Sequence, residues 1–382
     1  MQKKIIALAV AGLLSGAAFA QTNVTISGVL DVGLNNAKGT FTGSGFSASN
    51  NAGYNNTATS NIAFRAQEDL GGGMKAGMFL ESDIRGGATA LLGSFQKYVY
   101  INGGWGELSF GQRTNFATTT ATTAQPFGTA MGGGYSTAFG RLQGFGYGAT
   151  GALTASGATA TLSGNRDVRA DGSIRYDSPN MQGFTAGLSY KPKNVGESVV
   201  ANNTETTPAT GHLNLGLNYA NGPMKVSYAY VKIDNTNLGR AAVAANPATG
   251  LTAITAADGY NGSTKHNLLG ANYAFGPATV YAGYTTSKAD TTGATAGNEF
   301  DSRSWNLGLK YAVAGNIDLL ANYLKDNDKT SNNYDRKLIG LGMDYGFSKR
   351  TVAYLRYEAA DANTNAATGK VTTYSAGLRH AF

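Results

Sequence analysis

The chain has 382 residues, with 30 Lys and Arg against 23 Asp and Glu, and a formal net charge of +7. Charged residues make up 14% of it, against about 25% in ordinary soluble domains, while Gly occurs 53 times and Pro only 7 times. The low Pro content argues against collagen and against a disordered linker protein, and the absence of Cys excludes disulfides, thiolate nucleophiles and Cys-ligated metals.

The first twenty residues have the pattern of a secretory signal. Two lysines precede a short apolar run, and Ala18-Phe19-Ala20 is a small-x-small cleavage signature. The apolar run is shorter than the span of about 20 residues that a membrane helix needs. We therefore expect cleavage after Ala20, so that residues 1–20 are a signal peptide and residues 21–382 the exported domain; the alternative is a buried N-terminal helix.

From residue 21 onward, apolar and polar residues alternate with a period of two. For example, Trp305, Leu307 and Leu309 alternate with Asn306 and Gly308. This alternation predicts strands with one apolar face, most of them of about 9–11 residues, which suits a tilted strand that crosses a bilayer. Sixteen strands are predicted, at 24–34, 60–68, 74–83, 95–102, 107–113, 169–178, 184–191, 212–220, 224–233, 265–274, 278–286, 303–311, 317–325, 335–345, 351–359 and 370–382.

The connections between these strands alternate strictly between short and long. Seven are short, and the eight between them are longer and rich in Ser, Thr, Asn, Ala and Gly. An up-and-down sheet gives this pattern when its two ends face different compartments, whereas a soluble sandwich does not sort its loops in this way. We predict an all-β fold, a 16-stranded antiparallel transmembrane β-barrel.

Charged residues fall mainly on the face opposite the apolar one. Arg or Lys on a lipid face at the bilayer midplane costs about 2–4 kcal/mol, so lipid outside and water inside explain the separation. The inward set includes Arg65, Lys75, Glu81, Arg169, Asp171 and Arg175. Tyrosines cluster at strand ends, as in an aromatic girdle. The last strand ends on Phe382, and we expect it to pair with the first strand.

Several motifs in order resemble the trimeric general porins of the neisserial and β-proteobacterial type. Residues 65–77 resemble the family's R-G-x-E-D-L-G-G-G-x-K-A-x hairpin, residues 106–113 its G-x-x-x-x-G-R strand, and residues 169–184 its R-x-x-N-S-I-R-Y-x-S-P-x-F-x-G-F element. Residues 348–351 and 380–382 match its last turn and its end. The resemblance covers nearly all of the mature chain.

The resemblance implies a homotrimer in the bacterial outer membrane that forms a water-filled channel for passive diffusion of small hydrophilic solutes and ions. It also implies contact with outer-membrane lipid and lipopolysaccharide, and recognition of Phe382 by the outer-membrane insertion machinery as an assembly signal. Two family arginines are absent, since Asn61 and Phe95 occupy their places. We therefore expect only moderate anion selectivity.

The connection from Thr114 to Val168 is far longer than the usual loop of about 4–6 residues. From its residues alone it is either a constriction inside the barrel or an exposed variable loop, and the resemblance favours the constriction. Its candidate residues are Gln125, Pro126, Phe127 and Arg141. The candidate pore-lining and selectivity residues are Arg65, Lys75, Arg113, Arg169, Arg175, Glu81 and Asp171. Alternatively, each cation pairs with a neighbouring carboxylate.

Other functions have weaker support in the sequence. A substrate-specific channel on the same barrel is the main alternative, and an outer-membrane enzyme or adhesin is a third. The three histidines lie on separate strands without metal-ligand spacing, so no metal or cofactor is predicted. The basic charges are scattered rather than clustered, which argues against nucleic acid as a partner.

Overall fold

The structure is a computed structural model that describes residues 23–42, 51–55, 59–84, 95–133, 169–193, 209–240, 257–292, 300–329, 335–363 and 368–382. The predicted signal peptide lies outside these residues. Among those described, no helix combines the length and the hydrophobicity that a bilayer span requires.

Strands make up most of the described chain. They are β1 (Asn23–Thr42), β2 (Asn51–Asn55), β3 (Asn61–Gly71), β4 (Met74–Asp83), β5 (Gln96–Gly103), β6 (Gly106–Thr114), β7 (Arg169–Asp177), β8 (Phe184–Lys191), β9 (Ala209–Asn221), β10 (Met224–Arg240), β11 (Ala257–Phe275), β12 (Ala278–Thr292), β13 (Phe300–Ala314), β14 (Ile317–Asp328), β15 (Asp335–Gly346), β16 (Thr351–Asn363) and β17 (Thr368–Ala381). A helix, α1 (Phe116–Thr123), follows β6.

The sheet closes on itself through β1. From β3 to β17 each strand pairs antiparallel with the next one along the chain. One edge of β1 pairs with β17, and its other edge pairs with β3 along residues 23–29 and with β2 along residues 33–37. Because β2 and β3 are consecutive parts of one barrel strand, the 17 segments form a closed barrel of sixteen strands, which confirms the predicted fold class.

Several strands continue beyond the length that crosses a bilayer. The segment β11 has 19 residues, where the apolar alternation predicts a strand only over 265–274. About 9–11 residues suffice for the crossing, so the remainder projects past the membrane at the end that carries the long connections. Polar extensions such as residues 257–264 have no apolar face, and the period of two therefore does not reveal them.

The two faces of the barrel have opposite character. On β13, Trp305, Leu307 and Leu309 are 36%, 58% and 41% exposed, whereas Ser304 and Asn306 between them are buried. In a water-soluble protein the apolar set would be the buried one. The outer wall is therefore a lipid-facing surface and the inner wall is polar, as the charge distribution predicts.

Tight turns join the strands at one end of the barrel, and long connections join them at the other. In the turn between β3 and β4, Gly71, Gly72 and Gly73 have φ angles of 79°, 61° and 79°, which residues with a Cβ rarely adopt. Outward aromatic pairs line this end, such as Phe184 with Tyr219, whose ring centroids are 4.4 Å apart. They form the predicted girdle at a membrane interface.

Phe382, directly after β17, completes the seam between β17 and β1. The Phe382 N–H donates to the Gly28 carbonyl at 3.0 Å, and the Gly28 N–H donates to the Phe382 carbonyl at 3.1 Å. A Cβ added to Gly28 would stand 2.6 Å from Cζ of the Phe382 ring, so the ring covers this glycine on the outer face.

Deleting Phe382 should lower the yield of folded protein in the outer membrane. The seam then loses two hydrogen bonds of about 1 kcal/mol each and the contact between the Phe382 ring and Gly28. The measurement is the fraction of unheated protein that migrates as a folded species in gel electrophoresis. Phe382→Tyr keeps the ring and both bonds, and should assemble like the unaltered chain. Equal yields from the deletion and the unaltered chain would contradict this role.

Candidate functional site

The chain after β6 turns into the barrel and begins α1 against the inner wall. The side chain of Asn115 caps the helix by accepting the Thr118 N–H at 3.2 Å. One turn further on, the hydroxyls of Thr120 and Ser227, the latter on β10, lie 2.8 Å apart. The described part of the long connection, residues 115–133, therefore starts inside the lumen.

An apolar patch on the inner wall receives the helix. Its members, all buried, are Phe116, Ala117 and Ala121 of the helix with Ala229, Val231, Ile233 and Leu268 of β10 and β11. The sequence carries a signal for this patch, because in β10 the inward positions Ala229, Val231 and Ile233 are apolar and break the alternation. Burial of these side chains stabilises the helix inside an otherwise polar lumen.

Side-chain amides of the wall hold the segment after the helix. Asn272 donates to the Thr123 carbonyl at 2.9 Å, Asn306 donates to the Ala124 carbonyl at 2.6 Å, and Asn322 donates to the Gly133 carbonyl at 3.1 Å. On β16, Glu358 accepts the Gly132 N–H at 2.7 Å. These bonds satisfy backbone groups that a buried loop would otherwise leave unpaired.

Glycines on the inner wall make room for this segment. A Cβ on Gly270 would stand 2.3 Å from the Thr120 carbonyl oxygen, and a Cβ on Gly340 would stand 1.9 Å from that of Gly132. Other glycines that face the loop at less than 3.0 Å are Gly187, Gly216, Gly283, Gly308 and Gly342. They lie on strands from β8 to β15, so the loop follows a track of glycines around the wall.

The predicted loop residues pack toward this wall. The Gln125 side chain bonds within the loop, accepting the Phe127 N–H at 2.7 Å and donating to the Gly128 carbonyl. Phe127 is buried with Ala130 and Leu320, and Pro126 faces Gly308. These contacts hold the described part of the loop against the wall. The fourth predicted residue, Arg141, lies outside the described residues.

Two predicted pore arginines take part in a balanced ion-pair cluster. Arg113 contacts Glu107 at 2.9 Å and Asp177 at 3.0 Å, and Arg175 contacts both oxygens of Asp177 at 2.8 and 2.7 Å. Two cations thus share two carboxylates. Arg175 also donates to the Thr114 carbonyl at 2.8 Å, and its guanidinium lies 3.9 Å from the centre of the Phe116 ring. The cluster anchors the start of the loop.

Other predicted cations face water on the inner wall. Arg65 and Lys75 are exposed, and Arg65 donates from Nε to the Tyr100 hydroxyl at 3.0 Å. Lys225 and Arg379 are exposed at inward positions as well. Within the described ranges, none of these four side chains forms an ion pair.

Many inner carboxylates, by contrast, are buried or ion-paired. Glu81 is 8% exposed and accepts bonds from Asn61 and, at 2.6 Å, from Gln96. Asp318 pairs with Lys310 at 2.8 Å, and Asp344 pairs with Arg356 at 2.6 Å. The inner wall therefore carries both positive and negative charge. The four cations of the preceding paragraph, however, are exposed and form no ion pair in the described ranges.

The prediction that Asp171 lines the pore is wrong. Between β6 and β7 the register shifts, and Gly172 has a φ of 68°, so an extra residue bulges from β7 and the alternation changes phase. Asp171 is exposed and contacts Lys97 at 3.4 Å, and Lys97 shares its face with lipid-facing Val99.

Arg169 also lies beyond this bulge. Its guanidinium carbon is 4.3 Å from the centre of the Phe95 ring, and its backbone pairs with Thr114. Arg169 therefore contacts Phe95 at the start of β7 and does not take part in the ion-pair cluster of Arg113 and Arg175. Its predicted role in selectivity stays a prediction.

A comparison with protein families matches residues 7–378 to the model of the Gram-negative porins. Among curated proteins, an outer membrane porin protein of Bordetella pertussis is 26% identical over 415 aligned residues, which cover 100% of both chains. Outer membrane porin protein 32 of Delftia acidovorans is 28% identical over 363 residues, with 93% of this chain and 88% of the relative covered.

Solved structures show the same fold. The anion-selective porin from Comamonas acidovorans superposes with a TM-score of 0.69 at 22% identity, and 95% of this chain and 100% of that chain are covered. The trimer form of OmpT, an outer membrane protein of Vibrio cholerae, gives a TM-score of 0.62 at 16% identity, with 94% of this chain and 99% of that chain covered.

Gly340→Ala should lower the single-channel conductance, because the new Cβ pushes the segment around Gly132 away from the wall and into the lumen. Planar-bilayer recording measures this. Gly315→Ala is the matched control, since a Cβ at this turn position has nothing within 4 Å. Equal conductance of both variants and the unaltered protein would show that the segment does not lie on β15.

Proposed function

This chain belongs to the Gram-negative porin family, and we propose that its pore favours anions through water-facing cations on the inner wall. It is an outer-membrane channel for passive diffusion. The observation that carries the proposed selectivity is that Arg65, Lys75, Lys225 and Arg379 are exposed and lack ion pairs in the described part of the chain.

The level of Arg65 in the barrel supports its role at the narrowest part. Arg65 lies seven residues before the turn that begins at Gly72, and Gly308, which faces the loop at Pro126, lies seven residues before the turn that begins at Gly315. Equal distances from the short turns place both residues at about the same depth. Arg65 therefore faces the part of the lumen that the loop narrows.

The other three cations stand near the short turns. Lys75 follows the turn after β3, Lys225 follows the turn after β9, and Arg379 pairs with Val352, which follows the turn after β15. In this arrangement a permeating anion meets Arg65 at the constriction and further positive charge toward one mouth. Charges in a narrow wall of low dielectric act more strongly than in bulk water.

The balanced cluster of Arg113 and Arg175 limits the strength of selectivity. These two guanidinium groups are matched by Asp177 and Glu107, so their net field in the lumen is small. The family arginines replaced by Asn61 and Phe95 remove two further charges. We expect a moderate preference for anions, of the same sign as the name of the Comamonas acidovorans porin indicates for that protein.

A homotrimer is part of the proposal. Small outward residues lie at Ala66 on β3, Ala76 on β4 and Ala376 on β17, on barrel strands grouped around β1. Small side chains let flat barrel walls approach closely. The remaining proposed partners are outer-membrane lipid, lipopolysaccharide and the insertion machinery, and the proposed precursor carries the signal peptide 1–20. No catalytic activity is proposed.

Arg65→Glu should shift the zero-current potential toward cation selectivity in a KCl gradient, because a charge at the constriction changes sign. Lys349→Glu makes the same charge change in an exposed turn and should shift it much less. The shift should be larger at 0.1 M salt, where screening acts over about 10 Å, than at 1 M, where it acts over about 3 Å. A cation-selective unaltered pore would overturn the proposal.

Cross-linking in mild detergent should capture three copies of the unaltered chain. Ala376→Trp places a bulky ring on the proposed contact face and should reduce the trimer, whereas Leu307→Trp changes the lipid-facing wall of β13 and should not. Capture of monomers alone from the unaltered chain would exclude the trimer. Loss of trimer in both variants would place the contact face elsewhere.

A further inference from the structure

Two aromatic side chains lie beside Arg65 on the inner wall. The strand register places Phe79 of β4 directly opposite Arg65, and Tyr98 of β5 directly opposite Phe79. Their neighbours along the chain, Met78 and Val99, are exposed on the lipid side, and the alternation therefore directs both rings into the lumen. Because adjacent strands lie about 4.8 Å apart, one guanidinium and two rings form a single row across three strands.

The two rings break the polar character that the inner wall of a water-filled barrel normally has. The inward apolar side chains of β10 lie under α1, but neither buried apolar cluster of the described residues includes Phe79 or Tyr98. Both are half-buried, and their ring centroids are 5.3 Å apart. The guanidinium carbon of Arg113, 4.4 Å from the centre of the Tyr98 ring, holds that ring in place. The pair therefore offers fixed apolar surface to a solute in the lumen.

Arg65 is oriented by its neighbours, while the end of its guanidinium is left available. Its Nε donates to the Tyr100 hydroxyl at 3.0 Å, and its guanidinium carbon lies 4.9 Å from the centre of the Tyr100 ring. The Tyr100 hydroxyl in turn donates to the Gln67 side chain at 3.1 Å. Among the residues that the structure describes, none accepts a hydrogen bond from the two terminal nitrogens of Arg65. A planar fork held in this way matches the two oxygens of a carboxylate.

We propose that the row of Arg65, Phe79 and Tyr98 binds aromatic carboxylates such as benzoate, with the carboxylate on the terminal nitrogens of Arg65 and the ring against the two side-chain rings. This inference rests on the proposed function, because both require Arg65 to face permeating anions. Aromatic rings pair at centroid distances of about 4.5–7 Å, which the spacing of neighbouring strands allows. A small inorganic anion gains only the charge contact, so the row selects for a ring as well as for negative charge.

Titration of the unaltered channel in a planar bilayer tests the site without any variant. Benzoate added to a KCl solution should reduce the single-channel current while it occupies the lumen, and the concentration that gives half of the reduction measures its affinity. Acetate has the carboxylate without the ring and should bind about tenfold more weakly. Benzamide has the ring without the charge and should also bind about tenfold more weakly. Equal affinity of benzoate and either probe would overturn the proposal.

A matched pair of variants locates the site. Phe79→Ala removes one ring of the row and should weaken benzoate binding about tenfold. Phe79→Leu, which keeps an apolar side chain without the ring, should weaken it as well and supplies the comparison if the alanine variant does not form channels. The control is Tyr281→Ala, since Tyr281 is a half-buried inward aromatic of β12 that Asn272 and Gly308 oppose. This control should bind benzoate like the unaltered chain. Unchanged affinity in the Phe79 variants, or an equal loss in the control, would contradict the assignment.

The zero-current potential of the unaltered channel in a KCl gradient separates this proposal from the proposed selectivity. If the pore prefers potassium while benzoate binds more tightly than acetate and depends on Phe79, the selectivity proposal fails and the aromatic site stands. If the pore prefers chloride while benzoate and acetate bind equally, the aromatic site fails alone.

Discussion

In a bilayer, every backbone N–H and C=O of a strand must find a partner within the protein, because lipid supplies none. This requirement determines the architecture, since a sheet satisfies it fully only by closing. Pairing of β1 with β17 on one edge and with β2 and β3 on the other removes both free edges. Closure of sixteen strands leaves a lumen too wide for side chains to fill, and water occupies it. The chemistry of the channel then depends on what narrows this lumen.

Residues 115–133 after β6 lie inside this lumen, and the inner wall is built to hold them. Glycines such as Gly270 and Gly340 let the loop backbone approach the wall, and asparagines such as Asn306 bond its carbonyls. An apolar patch covers one face of α1. Arg175 belongs to this support, because it joins Asp177, Thr114 and the Phe116 ring. Cations that anchor the loop, such as Arg175, are therefore distinct from cations, such as Arg65, that are exposed to the lumen.

The sequence predicts the barrel well because lipid and water impose a strict period of two. Strand number, the separation of charge from apolar residues and the ends joined by short turns all follow from that period. It fails at Gly172, where one extra residue moves Asp171 to the outer face. The period also does not identify which charged side chains pair. The ion pairs of Arg113 with Glu107 and Asp177 are therefore seen only in the structure. The inward apolar residues Val231 and Ile233 were visible in the sequence, but only a docked helix explains them.

The central claim is that residues 115–133 lie fixed on the inner wall. The chain has no Cys, so a pair introduced by Thr120→Cys and Ser227→Cys is the only possible disulfide within one chain. The two native hydroxyls are 2.8 Å apart, and we predict that the paired thiols oxidise readily in the folded protein. Single-channel conductance should then be the same before and after reduction, because the bond joins groups already in contact. Thiols that stay free, or a conductance that rises on reduction, would contradict a loop held against β10.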